Sequence, residues 1–188
     1  MASTTQRLAA LPGVFHATDA LLRAQIPAAQ LNQVLWRWKT AGYVKPLGAR
    51  ADVWFNLVVD PVITRERWEQ AVRLALPAAI CAGHGVLMRH GITTQLTTKD
   101  YLIRPARSPS AAIEGVDLHE RPALWIRKLR KMGAVNTTGR LPELDPGAAL
   151  ADLQNFDPDS IDEDEIDWDE MPAKSVALYQ ALRVHAFP

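Results

Sequence analysis

The alternation of apolar and polar positions over the first sixty residues resolves into three short helices and a hairpin. "TTQRLAAL" (4–11) reads as a helix closed by Pro12-Gly13. A second helix starts near Thr18 or Asp19, either of which can cap it, and runs through "ALLRAQI" to Pro27. The third spans Ala28 to Ala41: Leu31, Val34, Leu35, Trp38 and Ala41 recur at helical spacing and make one apolar stripe. Gly42 stands where helices commonly end in the left-handed conformation. "YVKPL" and "VWFNLVV" then read as strands around the loop "GARAD", and Pro46, lacking an N–H, confines the first strand to a sheet edge.

A new section begins at Asp60-Pro61. "TRERWEQAVRLAL" has a capping-type start and places Trp68, Val72 and Leu76 on one face. "AAICAGHGVLMRHG" reads as a short helix stopped by Gly91, and "DYLIRP" and "AAIEGVDLHE" as strands. "PALWIRKLRKMG" returns to helical spacing through Trp125, Leu129 and Met132, after which loop signals run through "NTTGRLPELDPG". A short helix "AALADL", the acidic run "DPDSIDEDEIDWDEM" and a helical end with Val176, Tyr179 and Leu182 at helical spacing complete the chain. The pattern predicts an α+β protein: a winged helix-turn-helix over residues 1–60, a mixed α/β domain over 61–140, and an acidic tail with a terminal helix over 141–188.

Composition narrows the class. An apolar fraction of 48% supports a core and excludes wholesale disorder. The longest apolar run, Leu74 to Gly83, is interrupted by Pro77 and is far shorter than the ~18–20 residues of a membrane span. No signal peptide is read at the N-terminus, and Cys81, the lone cysteine, excludes an internal disulfide; both fit a cytoplasmic setting. The net charge of zero hides a gradient. Residues 1–140 carry 19 basic and 9 acidic side chains (+10), and residues 141–188 carry 2 and 12 (−10). A basic body suits a polyanionic partner, with the acidic tail solvating, shielding that body or binding something basic.

Two short helices, a longer third and a hairpin form the order in which the third helix enters the DNA major groove and the hairpin loop meets the backbone. The apolar stripe leaves Gln30, Asn32, Gln33, Arg37 and Lys39 pointing away from it. Gln and Asn can bond adenine edges bidentately, and Arg guanine. Arg23, Lys45 and Arg50 are candidate phosphate contacts, which position without specifying. A solvated polar helix face without DNA is the plain alternative for α-helical residues of this kind; the element order and the charge favour DNA. Trp36, half out of the stripe, is read as packing under the wing or against a dimer mate rather than as a contact to DNA. Arg127, Lys128, Arg130 and Lys131 are either ordinary helix surface or an extension of the DNA footprint, and the charge excess favours the second.

Candidates for other chemistry are weak. Cys81, His84 and His90 lack a fourth zinc ligand unless His119 or an acid supplies it. Asp157, Asp159 and Asp162 lack the mid-loop glycine and terminal glutamate of a calcium loop. No phosphate loop or serine elbow is present, and His84, His90 and His119 show no partner that would make one a general base. Neither a metal, a cofactor nor an enzymatic activity is expected.

The run "LAALPGVFHATDALLRAQIPAAQLNQVLWRWKTAGYVKPLGARADVWFNL", followed by "AAICAGHGVLMRHGIT" and a strand, is similar to AbiEi-type antitoxins. His90-Gly91-Ile92 resembles the His-Gly-Leu that ends a helix in that family. The resemblance covers about residues 6–140, and "LDPGAALADL" and "DEIDWDEM" also look familial. It rests on loose patterns. It implies a winged domain that represses its own operon at inverted repeats, and a second domain that counters a nucleotidyltransferase toxin without a stable complex (type IV). By resemblance Gln30, Asn32, Gln33, Arg37 and Lys39 map to the recognition helix and Arg50 to the wing, while antitoxicity gains no particular residue. The compact second domain and the acidic tail depart from the family. Palindromic operators would suit a homodimer. The rival expectation is a protein-interaction module whose acidic tail docks on a basic partner.

Overall fold

Side chains that satisfy free backbone N–H groups decide where the first helices begin. In this computed structural model, which describes residues 3–49, 51–108 and 111–183, Ser3 caps α1 (Thr4–Ala9). Its Oγ accepts from the Gln6 N–H at 3.2 Å while Gln6 Oε1 accepts from the Ser3 N–H at 2.9 Å. The cap of α2 (Ala17–Leu22) is His16, neither Thr18 nor Asp19. His16 Nδ1 accepts from the Thr18 N–H, and Asp19 reaches back to the His16 N–H. The helix starts early because Val14–His16 is a strand, β1, whose pairing fixes the chain direction at residue 16. It also ends early, at Leu22. Gln25 takes φ 50°, and the Ile26 N–H donates to the Ala20 carbonyl, so the chain turns before Pro27.

A single 3-10 turn, Ala28–Gln30, leads into α3 (Leu31–Thr40). Val34, Leu35 and Trp38 are buried against Leu8, Phe15, Ala20 and Val44, the core of this unit. Gly42, at φ 74°, ends the helix as its position suggests. β2 (Val44–Pro46), β3 (Gly48–Ala49) and β4 (Val53–Asn56) follow. β4 lies between β1 and β2, antiparallel to both, which leaves Pro46 on an edge strand as expected. The run "VWFNLVV" stops as a strand at Asn56 because the fully buried Asn56 side chain accepts from the Val58 and Val59 N–H groups and donates to the Leu8 and Leu11 carbonyls.

α4 (Arg65–Ala75), capped by Thr64, packs on β1 and β4. Its Arg67 is buried. The guanidinium donates to the carbonyls of Gly13, Asn56, Asp60 and Val62 and pairs with Asp60 at 3.2 Å. This clamp places the helix with the winged part. The first compact unit therefore runs to Pro77, not to residue 60, and is completed by 109–114.

The second unit holds 78–108 and 115–188. "AAICAGHGVLMRHG" divides into β5 (Ile80–Cys81) and α5 (Gly83–Arg89). β6 (Asp100–Pro105) follows. The segment read as one strand, "AAIEGVDLHE", also divides. β7 (Ala112–Ile113) belongs to the first unit and pairs antiparallel with β3 there, whereas β8 (Val116–Arg121) belongs to the second and pairs parallel with β6. α6 (Ala123–Lys131), β9 (Val135–Asn136), β10 (Glu143–Leu144), α7 (Pro146–Phe156) and α8 (Ala173–Leu182) complete the unit. Its five-stranded mixed sheet has the order β8-β6-β5-β10-β9. The architecture is α+β.

Residues 141–183 are not a tail. α7 contributes eight consecutive buried positions, Pro146 to Leu153, and packs on α5 and α8. A Cβ on Gly147 would lie 1.8 Å from the Ser175 carbonyl oxygen, so only glycine lets α7 and α8 approach this closely. The acidic stretch lies between these two core helices, as two 3-10 turns at Pro158–Ser160 and Glu163–Glu165 with loops.

Candidate nucleic-acid interface

Burying Leu31, Val34, Leu35 and Trp38 on one side of α3 forces the remaining residues outward. Asn32, Gln33, Arg37 and Lys39 are exposed, as is Gln30 in the preceding 3-10 turn. At 100° per residue, Gln33, Trp36 and Thr40 form the middle of the outward face, Asn32 and Lys39 one flank, and Arg37 the other. Trp36 is thus central, and it is 63% exposed. It does not pack under the wing. The candidate groove-reading face is therefore an indole with amides and cations around it, a chemistry that adds apolar contact, of the kind made to thymine methyls, to hydrogen bonding.

The candidate phosphate contacts differ from one another. Lys45 is exposed on β2. Arg23, at the C-terminal end of α2, lies 3.5 Å from Asp19, so a phosphate would have to compete with a partly exposed carboxylate. Arg50 lies outside the described residues. Alongside the wing, β7 pairs with β3, an addition that no two-stranded hairpin pattern announces. Gly48 permits it: a Cβ there would sit 2.2 Å from the Ala112 carbonyl oxygen.

Counted by unit, the charge gradient changes meaning. The sequence of the first unit holds 9 basic and 6 acidic residues, and that of the second 12 and 15. A +10/−10 split along the chain becomes +3 and −3 between the units, because the acidic stretch is built into the unit that carries α6. Local disposition, not unit charge, must then supply attraction to a polyanion. On α6, Arg127, Arg130 and Lys131 are exposed, while Lys128 is half-buried with its ammonium 6.0 Å from the Trp125 ring centre.

A buried polar cluster lies in the second unit, and sequence spacing gave no sign of it. Asp152, fully buried on α7, accepts from Arg121 Nε and from Trp125 Nε1 at 2.7 Å. Arg121 also donates to Tyr101 Oη at 2.6 Å and stacks over Phe156 at 4.6 Å. Burial pushes the Tyr101 hydroxyl up to about 12, against the lowering pull of Arg121. For Arg121, burial opposes the charge, yet the Asp152 hydrogen bonds and charge prevail and raise its pKa. The signal was a lone carboxylate in the apolar helix "AALADL", a residue that stays inside only with a partner.

The histidines are separated by role. His84 is buried, its pKa lowered chiefly by desolvation, and its Nε2 lies 3.3 Å from Ser160 Oγ. The Ser160 hydroxyl donates to the Asp157 carbonyl, so its proton is not directed at His84. His90 faces Glu143, which also pairs with Arg89. His119 stacks on Tyr101, ring centres 3.9 Å apart, with Nε2 3.3 Å from Asp117 but not aligned for a hydrogen bond. Among the described residues no three His, Cys, Asp or Glu side chains gather as a metal-holding group, and no helix is long and apolar enough to cross a membrane.

No protein-family model matches the chain, and no curated protein matches it. Among solved structures it is similar to the RV2827C protein from Mycobacterium tuberculosis, at 12% identity and a TM-score of 0.55, over 92% of this chain and 71% of that one. At that identity the likeness is one of fold.

Proposed function

We propose that this chain is a DNA-binding transcriptional autorepressor, cytoplasmic, and the antitoxin of a type IV pair whose toxin is a nucleotidyltransferase. The observation that carries the DNA reading is the open polar side of α3 beside an antiparallel wing: Gln30, Asn32, Gln33, Arg37 and Lys39 are all exposed. In this reading α3 lies in the major groove of an inverted-repeat operator. Asn32, Gln33 and Arg37 contact base edges, and Lys39, Lys45, Arg23 and the wing loop with Arg50 contact phosphates. A homodimer matches the two half-sites. The antitoxin part is supported by the sequence resemblance alone.

The test is a gel shift on the chain's own upstream DNA. Arg37→Ala should weaken operator binding by ~1–3 kcal/mol and relax preference at one base pair, whereas Lys45→Ala should weaken all duplexes alike. If Arg37→Ala loses affinity equally on operator and scrambled DNA, α3 is not reading sequence. For the antitoxin part, co-expression with an adjacent nucleotidyltransferase gene should restore growth, and unrelieved growth arrest would overturn it.

A second reading, a protein-interaction module, is favoured by one observation. Asp159, Asp162, Asp164, Asp167, Asp169 and Glu170 are exposed along one stretch. Such a surface suits a basic protein partner. Replacing these acids by their amides should abolish partner capture while leaving duplex affinity intact.

A further inference from the structure

Inside the first unit a cleft of about 220 Å³ opens between α1 and α3. Val34 and Trp38 line it as its buried part, and Thr4, Ala41 and Tyr43 line it as exposed residues. Two arginines, Arg7 and Arg37, also line it. Their placement follows from helix geometry. Thr4 and Arg7 are three apart on α1, and Val34, Arg37, Trp38 and Ala41 recur at the spacing of one helix face.

Among the described residues neither guanidinium has an ion pair or side-chain hydrogen bond, and no carboxylate lines the cleft. The Arg7 Nε atom is buried without a hydrogen-bond partner. Arg7 is half-buried, and the buried arginines differ from it in having acceptors: Arg67 donates to four carbonyls, Arg121 to Asp152, and Arg104, whose Nε is also unpartnered, to Glu120 through its terminal nitrogen. Two arginines lining one cleft that holds no carboxylate suit an anion, since guanidinium N–H groups donate to the oxygens of a carboxylate or phosphate in a planar, forked geometry. The apolar floor adds a second requirement. A bare inorganic ion leaves Val34 and Trp38 in contact with water, whereas an apolar body covers them. The volume, below the range of drug-sized sites, limits the guest to a small molecule.

We propose that this cleft is a binding site for a small organic anion, with a carboxylate or phosphate head held between Arg7 and Arg37 and an aromatic or aliphatic body against Val34 and Trp38. A duplex backbone could offer the same head chemistry without the body, and the experiment separates the two sources. The full chain is titrated by calorimetry with phenyl phosphate, benzoate, inorganic phosphate and a short duplex. Phenyl phosphate or benzoate should saturate a single site at least ~10-fold more tightly than inorganic phosphate. Arg7→Ala and Arg37→Ala should each weaken that binding ~10-fold or more, Arg7→Lys should restore part of it, and Lys174→Ala, at an exposed position outside the cleft lining, should leave it unchanged. Circular dichroism checks that each variant is folded, and Arg37, being exposed, supplies a variant that folding does not confound.

The site is overturned if neither organic anion saturates the protein by about 10 mM, or if binding persists in both arginine variants. It is also overturned if only the duplex binds and Arg7→Ala weakens it, because the cleft is then a backbone-phosphate pocket. Operator preference is measured separately, so failure of the repressor reading leaves this result standing, and the reverse.

Discussion

Asp152 is the residue whose removal has the most predictable consequence. It satisfies Arg121 and the Trp125 indole at once, with no solvent exposure of its own. Asp152→Ala leaves a buried guanidinium and an indole N–H without their acceptor, a loss of ~3–5 kcal/mol. Urea unfolding should show a large share of the stability gone, given the ~5–15 kcal/mol of ordinary domains; a change under ~1 kcal/mol would mean that the pair is not buried in solution. His84 gives a pH signature. Its folded pKa lies below the 6.5 of the unfolded chain, chiefly through desolvation. The unfolded state therefore binds more protons as pH drops through 6.5, and stability falls with acidification until the lowered folded value is passed. His84→Gln should remove that part of the slope, visible as the difference between the two urea midpoints from pH 7.5 to 5. At this scale the sequence was only partly legible. The stripe on α3 was readable because its contacts repeat every three or four positions. Arg67 was not, because the Gly13 carbonyl it holds is 54 residues away.

Elements were read best where one amphipathic period governed them, as in α3, α4 and α6, and worst where a short strand abutted a helix. β1 and β5, three and two residues long, carry no alternation to detect, yet β1 moves the start of α2 and β5 divides an expected helix. The wing was anticipated as a hairpin, but its third partner, β7, comes from a segment beyond residue 100, and no local pattern records such a pairing. Gly48→Ala tests this part of the architecture. The added methyl meets the Ala112 carbonyl, so β3 and β7 must separate, at ~1–3 kcal/mol. Amide hydrogen exchange should quicken at residues 48–49 and 112–113, and unaltered protection there would show that the strands are not paired in solution. α7 makes the converse point. Its eight-residue buried run was visible as apolar sequence, but its neighbourhood to an acidic stretch suggested a solvated tail.

For the molecule as a whole, the gradient in charge along the chain does not survive folding as a division between units. The first unit keeps a modest positive balance and the second a modest negative one. In the proposed repressor reading, attraction to DNA then rests on a few placed cations, which sets an upper limit on its salt sensitivity. With Lys39, Lys45, Arg23 and the wing loop as phosphate contacts, log affinity should fall against log salt with a slope of about −3 to −4 per winged unit. A slope beyond about −8 would require cations outside that set.

The decisive measurement is fluorescence anisotropy of the full chain on its own upstream duplex and on a scrambled duplex of equal length, from 50 to about 200 mM salt. The upstream duplex should be preferred by ~10³-fold or more near physiological salt, with the scrambled duplex losing affinity along the same slope. Equal affinity for the two duplexes at every salt concentration would contradict the repressor reading.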